Sequence, residues 1–167
     1  MCQPASFIIV KGPKALWSKT DDSHSGIRRE FGLPDNGLRP VNVQVEITPP
    51  DGDFAAPFYA WRFRVDQDML PDWWYATGAT DAEAETRREL EAWARTRLVR
   101  AGETRDVREG EVVTAVLRGG TVDVVRGGTV DAVRGGIVNA VRGGTVNAVW
   151  DGTVNTVWGG TVNAVQG

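Results

Sequence analysis

The stretch GGTVDAVRGGIVNAVRGGTVNAVW, residues 127–150, repeats nearly the same eight residues three times. It sits inside a longer array running from Gly119 to Gln166: GGTVDVVR, GGTVDAVR, GGIVNAVR, GGTVNAVW, DGTVNTVW and GGTVNAVQ. Three columns never vary, the second glycine and the two valines. So short and fixed a period is the mark of stacked structural units. The preceding EGEVVTAVLR reads as a degenerate lead-in with one inserted residue.

Two backbones compete for such a unit. If each GG pair were a two-residue hairpin turn, the array would be an antiparallel β-meander. Its two valines, three apart, would then point to opposite faces of a straight strand. A β-solenoid with a corner inside each octad turns both valines inward. The packing argument therefore predicts an all-β octapeptide-repeat β-solenoid over residues 111–167, with two octads per coil. Its core is expected to be Val122, Val125, Val130, Val133, Val138, Val141, Val146, Val149, Val154, Val157, Val162 and Val165. The alternatives are the meander and an intertwined trimeric β-helix in which each chain gives one octad per layer.

Stacking has chemical consequences. Asn falls on Asn, so that the side-chain amides bond along the stack. The eighth column reads Arg126, Arg134, Arg142, Trp150, Trp158, Gln166. Two octads per coil set Arg134 on Trp150 and Arg142 on Trp158, as cation–π pairs. Aromatic residues beside arginines are typical of contact surfaces, so Trp150, Trp158, Arg126, Arg134 and Arg142 form the expected interaction surface. A single thin stack buries little apolar area for the chain it must order. Its last octad also carries no polar cap. The expectation is a homo-oligomer, trimer or dimer, joined through residues 143–167.

Residues 1–110 use a varied alphabet and read as a small α+β domain, with AGETRDVREGE (101–111) as the joint. FIIV (7–10) and ALW (15–17) flank the turn signal KGPK and predict a hairpin. Ser23 caps a short helix through Ile27 and Phe31 that Gly32 ends. VNVQVEIT (41–48) alternates Val41, Val43, Val45 and Ile47 on one face. YAWRFRV (59–65) does the same with Tyr59, Trp61, Phe63 and Val65. Thr80 and Glu83 form a capping box for a helix to about Leu98, with Leu90, Trp93 and Arg97 on one face. The sum is a three- or four-stranded antiparallel sheet with one longer helix across it.

The formal net charge of −3 and a pI near 5.2 argue against a nucleic-acid or anionic-membrane binder. With the single cysteine Cys2 no intrachain disulfide forms, and MCQPASFIIVKG lacks the long apolar core of a signal peptide. These features point to a cytoplasmic product or a part assembled inside the cell.

The run VQVEITPPDGD (43–53), then WRFRVDQDMLPDWW (61–74), then glycine-rich octads, resembles small phage and prophage proteins of unknown function. Those proteins pair a similar VEITPPD domain with tandem octapeptides. The resemblance implies a phage or prophage origin, and with it the cytoplasm of a host cell or a virion, and it assigns no catalytic residue.

No residue pattern announces chemistry. His24 lacks an HxxxH or Cys/His partner set and reads as a polar helix-start residue. Cys2 reads as a residue near a frayed terminus rather than a nucleophile. Asp66, Asp68 and Asp72 in DQDMLPD offer oxygens for a divalent cation, but a solvated loop is the plainer meaning. The octads lack the third glycine of calcium-binding repeats and change Asp to Asn after Asp131. No catalytic residue, metal or cofactor is therefore expected. The sequence reads as a non-enzymatic structural or interaction protein whose partner is a second copy, a host protein or a virion protein. Two alternatives are an inhibitor of a host protein or signalling molecule, and an enzyme whose tryptophan-rich head lines a pocket.

Overall fold

The computed structural model describes residues 4–35, 37, 39–77 and 79–166. The chain divides into two compact units, residues 1–93 and 94–167.

The first unit is the expected small α+β domain. Strands β1 (Ser6–Val10), β2 (Lys14–Leu16), β3 (Val43–Thr48) and β4 (Arg62–Val65) form an antiparallel sheet in the order β2-β1-β3-β4. Helix α1 (His24–Phe31) has the foreseen caps. Ser23 Oγ accepts from the Gly26 N–H at 3.0 Å, and Gly32 closes the helix in the left-handed conformation at φ 60°. Two further helices follow, α2 (Asp72–Thr77) and α3 (Ala79–Arg97). Val43, Val45 and Ile47 of β3 are buried with Phe7, Ile9, Trp61, Leu90 and Trp93. The Trp61 and Trp93 rings meet edge-on at 6.0 Å, a packed-core arrangement rather than a pocket lining.

Three local expectations need correction. Val41 lies outside β3 and is exposed, so the alternation begins two residues later. Tyr59 leaves the β4 pattern because Pro57, at φ −63°, opens a 3-10 turn over Phe58–Ala60 and turns Tyr59 to solvent. Thr80 is not the cap of α3, since the helix already runs at Ala79. Glu83 pairs with Arg87 one turn on (2.7 Å) instead of reaching back.

The second unit is a parallel β-solenoid of about four coils. It begins with β5 (Leu98–Val99), β6 (Thr104–Val107) and β7 (Val112–Leu117). The octads supply β8 (Thr121–Val125), β9 (Thr129–Arg134), β10 (Ile137–Val141), β11 (Thr145–Trp150), β12 (Thr153–Val157) and β13 (Thr161–Gln166). Successive octads alternate between two parallel sheets, β12-β10-β8-β6 and β13-β11-β9-β7-β5. One coil is therefore two octads, and the parallel ladders exclude the antiparallel meander. Since one chain supplies both sheets, an intertwined trimer is not needed to build the coil.

The corner that the valines demand is present. Within β8 and β10 the paired positions are Thr121, Val122, Val124 and Val125 against Ile137, Val138, Ala140 and Val141, skipping the Asx between them. The bend there lets both valines of an octad face inward. Val122, Val125, Val130, Val133, Val138, Val141, Val146 and Val149 form one buried cluster, with Val154 and Val162 partly buried against it.

The expected boundary at residues 110 and 111 is too late. Val99, Val107, Val113 and Val116 belong to the same valine cluster, and β5 and β6 pair with β7 and β8. The segment 101–111 is thus part of the first coil. Its sequence hides this because the coil is longer than the octad pair. Val112 pairs with Thr129, one residue more than the spacing of sixteen in later coils. The β6–β8 register also shifts between Arg105 and Val107. The lead-in, with the single glycines Gly102 and Gly110 in place of GG pairs, therefore escapes the octad pattern while obeying its geometry. Among the described residues no helix is long and apolar enough to cross a membrane.

Candidate interaction surface of the repeat stack

The invariant columns position everything on the stack's surface. The first glycine of each GG pair takes a positive φ: +80° at Gly119, +81° at Gly127 and +84° at Gly143. In the fifth octad Asp151 occupies this column at φ 52°, tolerable because a short polar side chain accepts the left-handed region. The second glycine is held by contact instead. A Cβ on Gly144 would lie 2.4 Å from Val125 Cγ1 and 2.6 Å from the Gly128 carbonyl oxygen. Only a hydrogen fits between successive coils there.

The Asx column builds two ladders. On one sheet Asn139 Nδ2 donates to Asp123 Oδ1, and Asn155 Nδ2 donates to Asn139 Oδ1, both at 3.0 Å. On the other, Asn147 donates to Asp131 (3.0 Å) and Asn163 to Asn147 (2.9 Å). Each ladder starts on an aspartate, and this orients it. A carboxylate accepts and does not donate, so the first Asn turns its NH₂ back and its carbonyl oxygen forward, and every later Asn follows. This explains why Asp gives way to Asn after Asp131: an Asp higher up has no proton to give the coil before it. Burial raises the Asp131 carboxyl above its ordinary range, outweighing the Asn147 hydrogen bond and the Arg97 charge that lower it.

A paired test follows from this polarity. Asn139→Asp should lower the unfolding midpoint of the stack by roughly 5 °C, by removing a donor and facing two carboxylates across about 3 Å. Asp123→Asn should leave it nearly unchanged. Differential scanning calorimetry at low salt distinguishes them, and equal shifts would contradict the ladder's direction.

The eighth column also falls into two files. Arg134 lies over the Trp150 ring at 4.6 Å, and Trp150 Nε1 donates to Gln166 Oε1 at 2.9 Å. Arg142 lies over the Trp158 ring at 4.5 Å, while Arg126 reaches Asp106 Oδ2 at 3.5 Å. Both expected cation–π pairs are therefore formed. Their consequence for the surface is that Trp150 is engaged within its own chain on both sides. Trp158, in the last coil, is 58% exposed.

The final coil departs from the expected core. Val157 is 45% and Val165 72% exposed, although their counterparts one coil earlier, Val141 and Val149, are buried. Among the described residues no further coil covers either valine. Among the described residues β12 pairs only with β10, and β13 only with β11. The outcome is an apolar cross-section bordered by two unpaired strand edges, with Asn155 and Asn163 as the last steps of the ladders.

Elsewhere, the structure gives His24 partners that no spacing in the sequence announces. It is buried at the start of α1, its Nε2 is 3.1 Å from the Val45 carbonyl oxygen and its Nδ1 is 3.6 Å from Asp66 Oδ2. Asp68 and Asp72 do not join Asp66 there. They line an open groove with Arg39, Met69 and Tyr75. Cys2 lies outside the described residues. Compared with family models, curated proteins and solved structures, the chain matches none.

Proposed function

We propose that this is a non-enzymatic structural or interaction protein that assembles with a second copy of itself through the open end of its solenoid. The observation that carries this reading is the exposure of Val157 and Val165 between two unpaired edges. Proteins guard such edges with lysine, proline or inward charges. Residues 143–167 contain no lysine, arginine or proline, and Asp151 is their single charged side chain. An edge left unguarded over its whole width suits pairing rather than solvation. A two-fold axis through it would set each edge strand antiparallel to its mate, cover both exposed valines and offer each terminal Asn amide a partner. The resemblance of residues 43–74 to phage and prophage proteins makes a virion or an infected host cell the proposed setting.

The test is the mass of the intact protein in solution, by sedimentation equilibrium, beside Val157→Lys combined with Val165→Lys. Both positions are exposed within the chain, so the charges should leave the coils intact. The intact protein should be a dimer at micromolar concentration. The double variant should dissociate at least roughly 100-fold more readily, since it brings like charges together across the axis. A monomeric intact protein with protease-resistant octads would overturn the reading.

A further inference from the structure

The first unit holds a group of side chains that the assembly reading does not use. His24 comes from the start of α1, Glu46 from the middle of β3, and Asp66 from just beyond β4. One potential ligand atom of each lies within 4.8 Å of the other two. Glu46 is fully buried and His24 nearly so, while the side chain of Asp66 is about one-third exposed. From this geometry we infer that His24, Glu46 and Asp66 form a binding site for one divalent transition-metal ion of the zinc type, open to solvent on the Asp66 side.

The tautomer of His24 follows from its surroundings. The Val45 carbonyl oxygen can only accept, so Nε2 carries the ring proton. That arrangement, one ring N–H on a backbone carbonyl and the other nitrogen toward carboxylates, is how metal-ligating histidines are oriented. Nδ1 is then the coordinating atom, and Asp66 Oδ2 stands 3.6 Å from it. Bonds of about 2.0–2.1 Å in a tetrahedral zinc site separate neighbouring ligand atoms by about 3.4 Å. This edge is already close to that length, and the others, within 4.8 Å, need to close by no more than about 1.4 Å.

The remaining oxygens have an outer partner. Arg64 Nη2 donates to Glu46 Oε2 at 2.6 Å and to Asp66 Oδ1 at 3.3 Å. The guanidinium thus holds both carboxylates from outside, leaving Asp66 Oδ2 directed at the histidine. Charge favours a cation as well. Glu46 and Asp66 bring two carboxylates to one point, and a divalent ion between them has the charge that both attract. The donor set of one nitrogen and two oxygens suits zinc and its first-row neighbours. Calcium and magnesium favour oxygen alone. Three protein ligands leave a fourth position for water, and the ion would clamp α1, β3 and the segment after β4 together.

The site is tested on the full chain with zinc and cobalt(II) ions. Equilibrium dialysis should find one zinc per chain at micromolar concentration. Saturating zinc should raise the first unit's unfolding midpoint by roughly 5 °C, and cobalt(II) should give visible absorption unlike that of the aqueous ion. Asp66→Asn, at the accessible side and therefore gentle to the fold, should weaken zinc binding at least 30-fold (roughly, taking the lost ligand as no smaller an effect than a lost outer partner). Asp68→Asn, two residues away and outside the group, should bind as the unaltered chain does. His24→Gln should abolish the cobalt spectrum. Failure to bind zinc, or equal binding by Asp66→Asn and the unaltered chain, would overturn the inference whatever the oligomeric state proves to be.

Discussion

Val138→Asn is expected to cost the repeat stack about 4 kcal/mol, the largest effect of any single substitution considered for this protein. Val138 is fully buried on β10, with Val122 on β8 and Val154 on β12 as its ladder neighbours. Asparagine forfeits the burial of a branched apolar side chain, roughly 2 kcal/mol. It also places an amide among valines that offer it no hydrogen bond, roughly 2 kcal/mol more. A solenoid is held by nearest-neighbour contacts, so the loss should be felt first in the coils on either side. Thr145→Ser provides the comparison. Thr145 is half-buried at a strand start and serine keeps its hydroxyl, so the change should stay within about 0.5 kcal/mol. Native-state hydrogen exchange across β8, β10 and β12 measures both. Matching protection in the two variants would mean that Val138 does not face a core.

Gly144→Ala should be nearly as damaging, at about 3 kcal/mol, although it adds a single methyl group. The new Cβ would stand 2.4 Å from Val125 Cγ1 and 2.6 Å from the Gly128 carbonyl oxygen. That oxygen accepts from the Thr145 N–H at 3.0 Å, so relieving the clash means stretching the ladder that spaces the coils. The neighbouring Gly143 has nothing within 4 Å of an added Cβ and is confined only by its φ of +84°. Gly143→Asn should therefore cost about 1 kcal/mol or less. Urea unfolding followed by far-ultraviolet circular dichroism ranks the two. If they unfold alike, contact between coils is not what excludes side chains from the second glycine column.

These two predictions also show why the tail could be read from its sequence so fully. From the third octad on, each octad's neighbour in the preceding coil is another octad sixteen residues away, so the contacts repeat with the sequence. The coil of two octads, a corner within each octad, the Asn ladders and both Arg–Trp pairs all follow from laying the repeat on itself, and the structure places the corner at the Asx. The head was legible where its signals were local, as in the hairpin and the capped helix α1. It was misread where a nearby residue intervened, as Pro57 does before Tyr59.

What the sequence by itself determined, then, is the architecture: a small α+β domain followed by a solenoid whose valine core and polar ladders are written into each unit. Tertiary structure decided the rest. It moved the start of the stack back to Leu98, because Val99 and Val107 reach the shared core from a coil longer than the repeat, by one residue at Val99 and by two at Val107. It exposed Val157 and Val165, since burial depends on a following coil and not on a residue's own octad. It also brought His24, Glu46 and Asp66 together. Their meeting depends on α1, β3 and β4 folding side by side around the sheet order β2-β1-β3-β4. Residues separated by about twenty positions in a non-repeating chain carry no periodic signal of their proximity. Only the packing of the strands makes them neighbours.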